Sequence, residues 1–176
     1  MQKRVITCLL PVALAFAATA SCNDSTEPSN TISYVANLRA SNEVNANGTS
    51  ANVNSPNSTG TWTGTLNTST NVLSWTMTYS GLVANSSASH IHAQAPTTST
   101  ANVVLNFATF SGSTITLGAT SGTASGSINL GTAATPPSLT ISGDSLRKAI
   151  DAGQAYVNVH SSQYGAGEIR GQIVKQ

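Results

Sequence analysis

Between Val72 and Ser80 the chain alternates strictly. Leu73, Trp75, Met77 and Tyr79 occupy one phase, and Ser74, Thr76, Thr78 and Ser80 the other. A period of two places one set on each side of a β-strand, with one face buried and one wet. Thr61, Thr63 and Thr65 alternate in the same way with Trp62, Gly64 and Leu66. Shorter runs of the same character predict strands at Ser33–Leu38, Ser89–Ala93, Val103–Phe107, Thr114–Leu117, Gly126–Leu130, Ser138–Ser142, Ala155–His160 and Glu168–Val174. Turn-forming clusters separate them: Asn45-Ala46-Asn47-Gly48, Ser80-Gly81, Ser111-Gly112 and Gly165-Ala166-Gly167. One helical period stands apart, with Leu146, Ala149 and Ile150 as its apolar stripe, Asp144 as its expected cap and Gly153 as its stop. The reading is an all-β fold: a single antiparallel domain, a β-sandwich or Greek-key barrel-like structure with one short helix. Asn45–Thr59 and Ala93–Ala101 are expected to be long polar loops.

The final two strands carry the most consequence. If His160 pairs near Glu168, then Val157, Val159, Ile169, Gly171 and Ile173 share a core face. Tyr156, Asn158, His160, Glu168, Arg170 and Gln172 then share the other. In Ser89-His90-Ile91-His92, the two histidines lie on the face opposite Ile91. The polar faces of both segments are expected to meet on the exterior, shielded only by loops.

Three histidines exist in the chain, at 90, 92 and 160, and this register brings all of them to one place. Imidazoles fixed side by side suit zinc or copper, with water able to complete the coordination. Asn158 and Glu168 are candidates to orient the rings, and Arg170 to draw an anion toward His160. The alternative is purely structural: the histidines hydrogen-bond to Glu168, Tyr156 or backbone, and Arg170 pairs with a neighbouring strand or with Glu43. Trp62 and Trp75 fall in the apolar phase and are expected in the core.

The first 22 residues read as an export signal. Lys3 and Arg4 precede a largely apolar run, Val5 to Ala18, and Cys22 follows Thr19-Ala20-Ser21. That ending resembles a bacterial lipobox with Thr19 in the position usually held by Leu, which implies lipidation of Cys22 and a lipid anchor in the membrane. Cleavage after Ala20 by an ordinary signal peptidase is the rival. Asn23 follows the cysteine, and by resemblance to bacterial lipoproteins this implies the outer membrane. Residues 23–31 form a polar tether, and the domain runs over 32–176. The other cysteine, Cys8, lies inside the signal, so the domain has no thiolate ligand, disulfide or cysteine nucleophile.

Only 7% of residues are charged, and without Lys3 and Arg4 there remain 5 basic against 6 acidic side chains. No basic patch exists to hold nucleic acid. No Gly-x-Ser-x-Gly elbow or phosphate-cradling glycine loop occurs.

Four runs together carry a family resemblance: Leu38-Arg39-Ala40-Ser41-Asn42-Glu43-Val44, Ser89-His90-Ile91-His92-Ala93-Gln94-Ala95, Ala155-Tyr156-Val157-Asn158-Val159-His160-Ser161 and Gly167-Glu168-Ile169-Arg170-Gly171-Gln172-Ile173. In that order they resemble the CHRD domain, named from chordin and common in bacterial extracytoplasmic proteins. Thr97 to Asn102 replaces the family's usual Gly and Gly-Pro before the next strand. The resemblance implies an all-β binding or structural module without catalytic activity, with a protein or matrix partner. The His-x-His strand is also similar to that of copper–zinc superoxide dismutase, which implies a copper-dependent redox enzyme as the alternative. That enzyme uses more histidines, an aspartate and a disulfide, which this chain lacks.

Overall fold

The computed structural model describes residues 30–131 and 139–176. The signal, Cys22 and the tether up to residue 29 lie outside the described residues. The strands are β1 (Thr31–Arg39), β2 (Thr59–Asn67), β3 (Val72–Ser80), β4 (Ser86–Ala93), β5 (Val103–Asn106), β6 (Ser113–Ile115), β7 (Gly122–Asn129), β8 (Ala155–Ser161), β9 (Ile169–Gln172) and β10 (Val174–Lys175). Thr31, expected at the end of the tether, already pairs with Asn67 as the first residue of β1.

All pairings are antiparallel, in the order β5-β4-β8-β9-β1-β2-β3-β7-β6, with β10 added beside β1. The sheet curls into a half-barrel. Its two halves face each other across one core: Phe107, just past β5, stacks on Trp75 of β3 at 5.7 Å, and Ser89 of β4 meets Met77 of β3. The alternation in β3 explains why. Leu73, Trp75, Met77 and Tyr79 are all buried, and the intervening Ser and Thr residues are all exposed. Trp62 and Trp75 lie in the core, as their phase predicts. Gly126 pairs directly with Trp75, and a side chain there would collide with the indole, so the glycine is what lets β7 close over β3.

The helix α1 (Gly143–Asp151) buries Leu146, Ala149 and Ile150. Its cap is Ser142 and not Asp144: the Ser142 hydroxyl accepts the Ser145 amide at 3.2 Å. Asp144 instead sits in the first turn and pairs with Lys148 at 2.7 Å. This displaces the strand expected at Ser138–Ser142, where only Leu139 makes an isolated bridge, to Leu105. A residue recruited to cap a helix cannot also extend a ladder. The strand expected over Glu168–Val174 is likewise broken at Ile173, which buries its side chain and donates to Ala155 O while β10 turns to pair with β1.

Candidate metal centre

The terminal hairpin has the register its two-phase pattern predicts. Tyr156 pairs with Gln172, Val157 with Gly171, Asn158 with Arg170 and Val159 with Ile169. Strand β4 lies along the other edge of β8, with Ala88 opposite His160, His90 opposite Asn158 and His92 opposite Tyr156. Even-numbered residues of β4, β8 and β9 therefore share one polar face, and Ile91, Val157, Val159 and Ile169 share the core face. The small Ala88 leaves room beside His160, and the rings gather around Asn158.

The three ring centroids stand 4.9 Å (His90–His160), 5.5 Å (His90–His92) and 6.4 Å (His92–His160) apart. One nitrogen from each ring lies within 4.8 Å of the others. His90 Nδ1 is 3.1 Å from His160 Nε2. Nitrogens bound to one zinc ion at about 2.0–2.1 Å stand roughly 3–3.5 Å apart, so small ring rotations complete the geometry.

Backbone carbonyls fix two of the rings. His92 Nδ1 lies 2.8 Å from Ala101 O, and His160 Nδ1 lies 3.0 Å from Gly165 O. A carbonyl only accepts, so each Nδ1 carries the proton and each Nε2 presents its lone pair. Both Nε2 atoms point at the same oxygen, Asn158 Oδ1, at 3.1 and 3.0 Å. Three acceptors converging without a donor repel one another. Either the amide turns over and Nδ2 donates to both rings, or a cation occupies the point of convergence. The donor set fits a borderline ion such as zinc or copper, and tying Nδ1 to a carbonyl is how ligating histidines are commonly held.

The site is more deeply covered than the sequence predicts. His92, His160 and Asn158 are buried, and only His90 is partly exposed. The reason is the path of residues 94–101, which fold back across the polar face. Gln172 Nε2 donates to Ala95 O, Arg170 Nη2 to Pro96 O and the Ala101 amide to Tyr156 Oη. Burial, with repulsion from His160 and His92, pushes His90 down to about 4. Burial also lowers His92 and His160, against the opposing hydrogen bonds from Ala101 and Gly165. All three are therefore neutral at pH 7, the form that binds metal.

Glu168 and Arg170 are placed differently from expectation. Glu168 Oε1 accepts from Ser55 Oγ at 2.6 Å, Ser58 Oγ at 2.8 Å and the Val83 amide at 2.8 Å, and from no imidazole. Burial works to raise its pKa, but hydrogen bonds from Ser161, Ser55, Val83 and Ser58 hold it below the ordinary value. Its work is to fasten the long loop before β2. Arg170 is 2% exposed and lies over the Tyr156 ring, 3.5 Å from its centroid, while the other rings stack as Tyr156 on His92 at 4.7 Å. Tyr156 thus separates the guanidinium from His92, and Arg170 is too enclosed to steer an anion toward His160. Sequence reasoning missed the two carbonyls, Ala101 O and Gly165 O, because main-chain atoms leave no mark on residue type. It also missed Tyr156 as a stacking wall, which its position opposite His92 could have indicated.

The CHRD domain matches residues 34–173 of this chain. No curated protein and no solved structure matches it.

Proposed function

Because the chain belongs to the CHRD-domain family, we propose that it is a non-catalytic binding module of the bacterial cell envelope that holds one copper or zinc ion through His90, His92 and His160. One observation carries the metal reading: the Nε2 lone pairs of His92 and His160 converge on Asn158 Oδ1, with His90 Nδ1 beside them. Asn158 is either a further oxygen donor or, turned over, the amide that holds the rings when no ion is bound. Ala101 O and Gly165 O keep both rings aimed inward in either state. The enclosing loop excludes water, which strengthens binding of a buried ion and restricts access to the His90 side.

The envelope address rests on the signal-like start and on Cys22, whose lipidation would tether the domain to the outer membrane, with cleavage after Ala20 as the soluble alternative. A copper-dependent redox enzyme is the second reading, and the partial exposure of His90 favours it by leaving one side of the ion reachable.

Competition titration of the full chain with copper and with zinc tests the proposal. Saturation at one ion per chain, lost in His160→Gln, supports it. No saturable binding of either ion refutes both readings. Copper binding without superoxide consumption leaves the binding module and removes the enzyme.

A further inference from the structure

On the far side of Tyr156 from the histidines, a second site has no assigned role. Arg170 is a guanidinium buried to 2% exposure with no counter-charge in contact. The ion pairs among the described residues are Arg147–Asp151 and Lys148–Asp144, and Arg170 is in neither. Its Nη2 is used by Pro96 O and Gln172 Oε1, both neutral acceptors, and its Nη1 is buried without a hydrogen-bond partner. The nearby acid is Glu43, which is also buried and whose Oε1 is likewise unpartnered. The Glu43 carboxyl is packed against Gly167, where a Cβ would lie 2.6 Å from Oε1; glycine at this position, with φ of +136°, lets the two approach. Burial pushes Glu43 up to about 8 despite the opposing pull of Arg170, so it does not supply a full negative charge at neutral pH. An uncompensated buried cation is costly, by several kcal/mol on general grounds.

Arg170 also lines a cavity of about 300 Å³, together with Ser41, Asn42, Val44, Thr97 and Gln172. Hydroxyls and amides surround it, with Val44 as an apolar wall, and no acidic side chain is among the lining residues. Its volume suits a ligand at the small end of the usual range.

We propose that this cavity binds a small monoanionic carboxylate, held by the Arg170 guanidinium and by the hydroxyls and amides around it. A planar two-oxygen anion matches the donor fork of arginine, and it supplies the charge that the fold leaves missing. The carboxylate belongs either to a free small acid or to the C-terminus of a peptide. The site is independent of the metal reading, since its lining includes none of the histidines.

The test is an NMR titration of the full chain at constant ionic strength with acetate, with N-acetylglycine and with neutral acetamide. The expected result is saturable shifts at Asn42, Thr97 and the Arg170 side chain with a carboxylate and none with acetamide. Response to both carboxylates or to acetate alone supports a free acid; response to N-acetylglycine alone supports a peptide terminus. Arg170→Gln abolishes the response. Should that variant fail to fold, Val44→Phe fills the cavity without touching the charge and weakens binding about tenfold. No saturable response to either carboxylate, an equal response to acetamide, or unchanged affinity in Val44→Phe overturns the proposal.

Discussion

The buried carboxyl of Glu43 makes a prediction with a sign that is easy to get wrong. Its value in the folded chain is pushed up to about 8, against 4.5 for the free side chain. Between those values the folded state holds a proton that the unfolded chain has released. Stability from this group is therefore complete below pH 4.5 and is lost as pH rises through about 8. Glu43→Gln keeps the shape of the neutral carboxyl and removes the titration. The difference in unfolding free energy between wild type and Glu43→Gln should shift by about 1.5 kcal/mol from pH 6.5 to pH 8, with wild type losing ground at the higher pH. Subtracting the variant cancels the contribution of the histidines, which titrate identically in both proteins. Urea denaturation at matched ionic strength across that interval reads the slope. A difference that stays flat, or that moves in favour of wild type as pH rises, would show that Glu43 is ionised in the fold and is the counter-charge of Arg170.

Other consequences follow from the same geometry. In metal-free protein, stability should fall as pH drops from 6.5 toward 4, because the unfolded chain gains protons that the buried His90 refuses. The loss should be on the order of 1–3 kcal/mol once partial exposure of His90 is allowed for, and a His90→Gln variant should lose less over the same range in a denaturation series. Ser142→Ala removes the cap of α1 and should cost about 1 kcal/mol by thermal or chemical unfolding; a change within error would mean that the Ser145 amide finds another acceptor. Gly126→Val drives a side chain into Trp75 and should destabilise by about 1–3 kcal/mol with a change in tryptophan fluorescence; unaltered stability would contradict the packing described for β3 and β7.

What could be read in advance was what depends on side-chain phase. The bounds of β3 and the facing of Val157, Val159 and Ile169 follow from apolar residues recurring at every second position. The meeting of three histidines follows from the same rule, because β4 and β8 each present their even-numbered residues to one face. Phase says which side a residue is on, and not what lies over that side. Burial of His92 and His160 depends on where residues 94–101 travel, and their path is set by Gln172, Arg170 and Tyr156, which are more than fifty positions away in the chain. Glu168 was misplaced for the same reason: Ser55, Ser58 and Val83 reach it from distant loops. Ser142 shows a different limit, since a polar residue between a short apolar run and a helix suits either element, and the unpaired amide at the helix start decides it.

The most direct measurement is elemental analysis of the full chain, isolated from the producing cells without chelators, beside a variant carrying His90→Gln, His92→Gln and His160→Gln. One copper or zinc ion per chain in the wild type and none in the variant is the expected result. Metal-free wild type that also takes up no ion on addition, or a variant that retains the same ion, would contradict a centre built from these three rings.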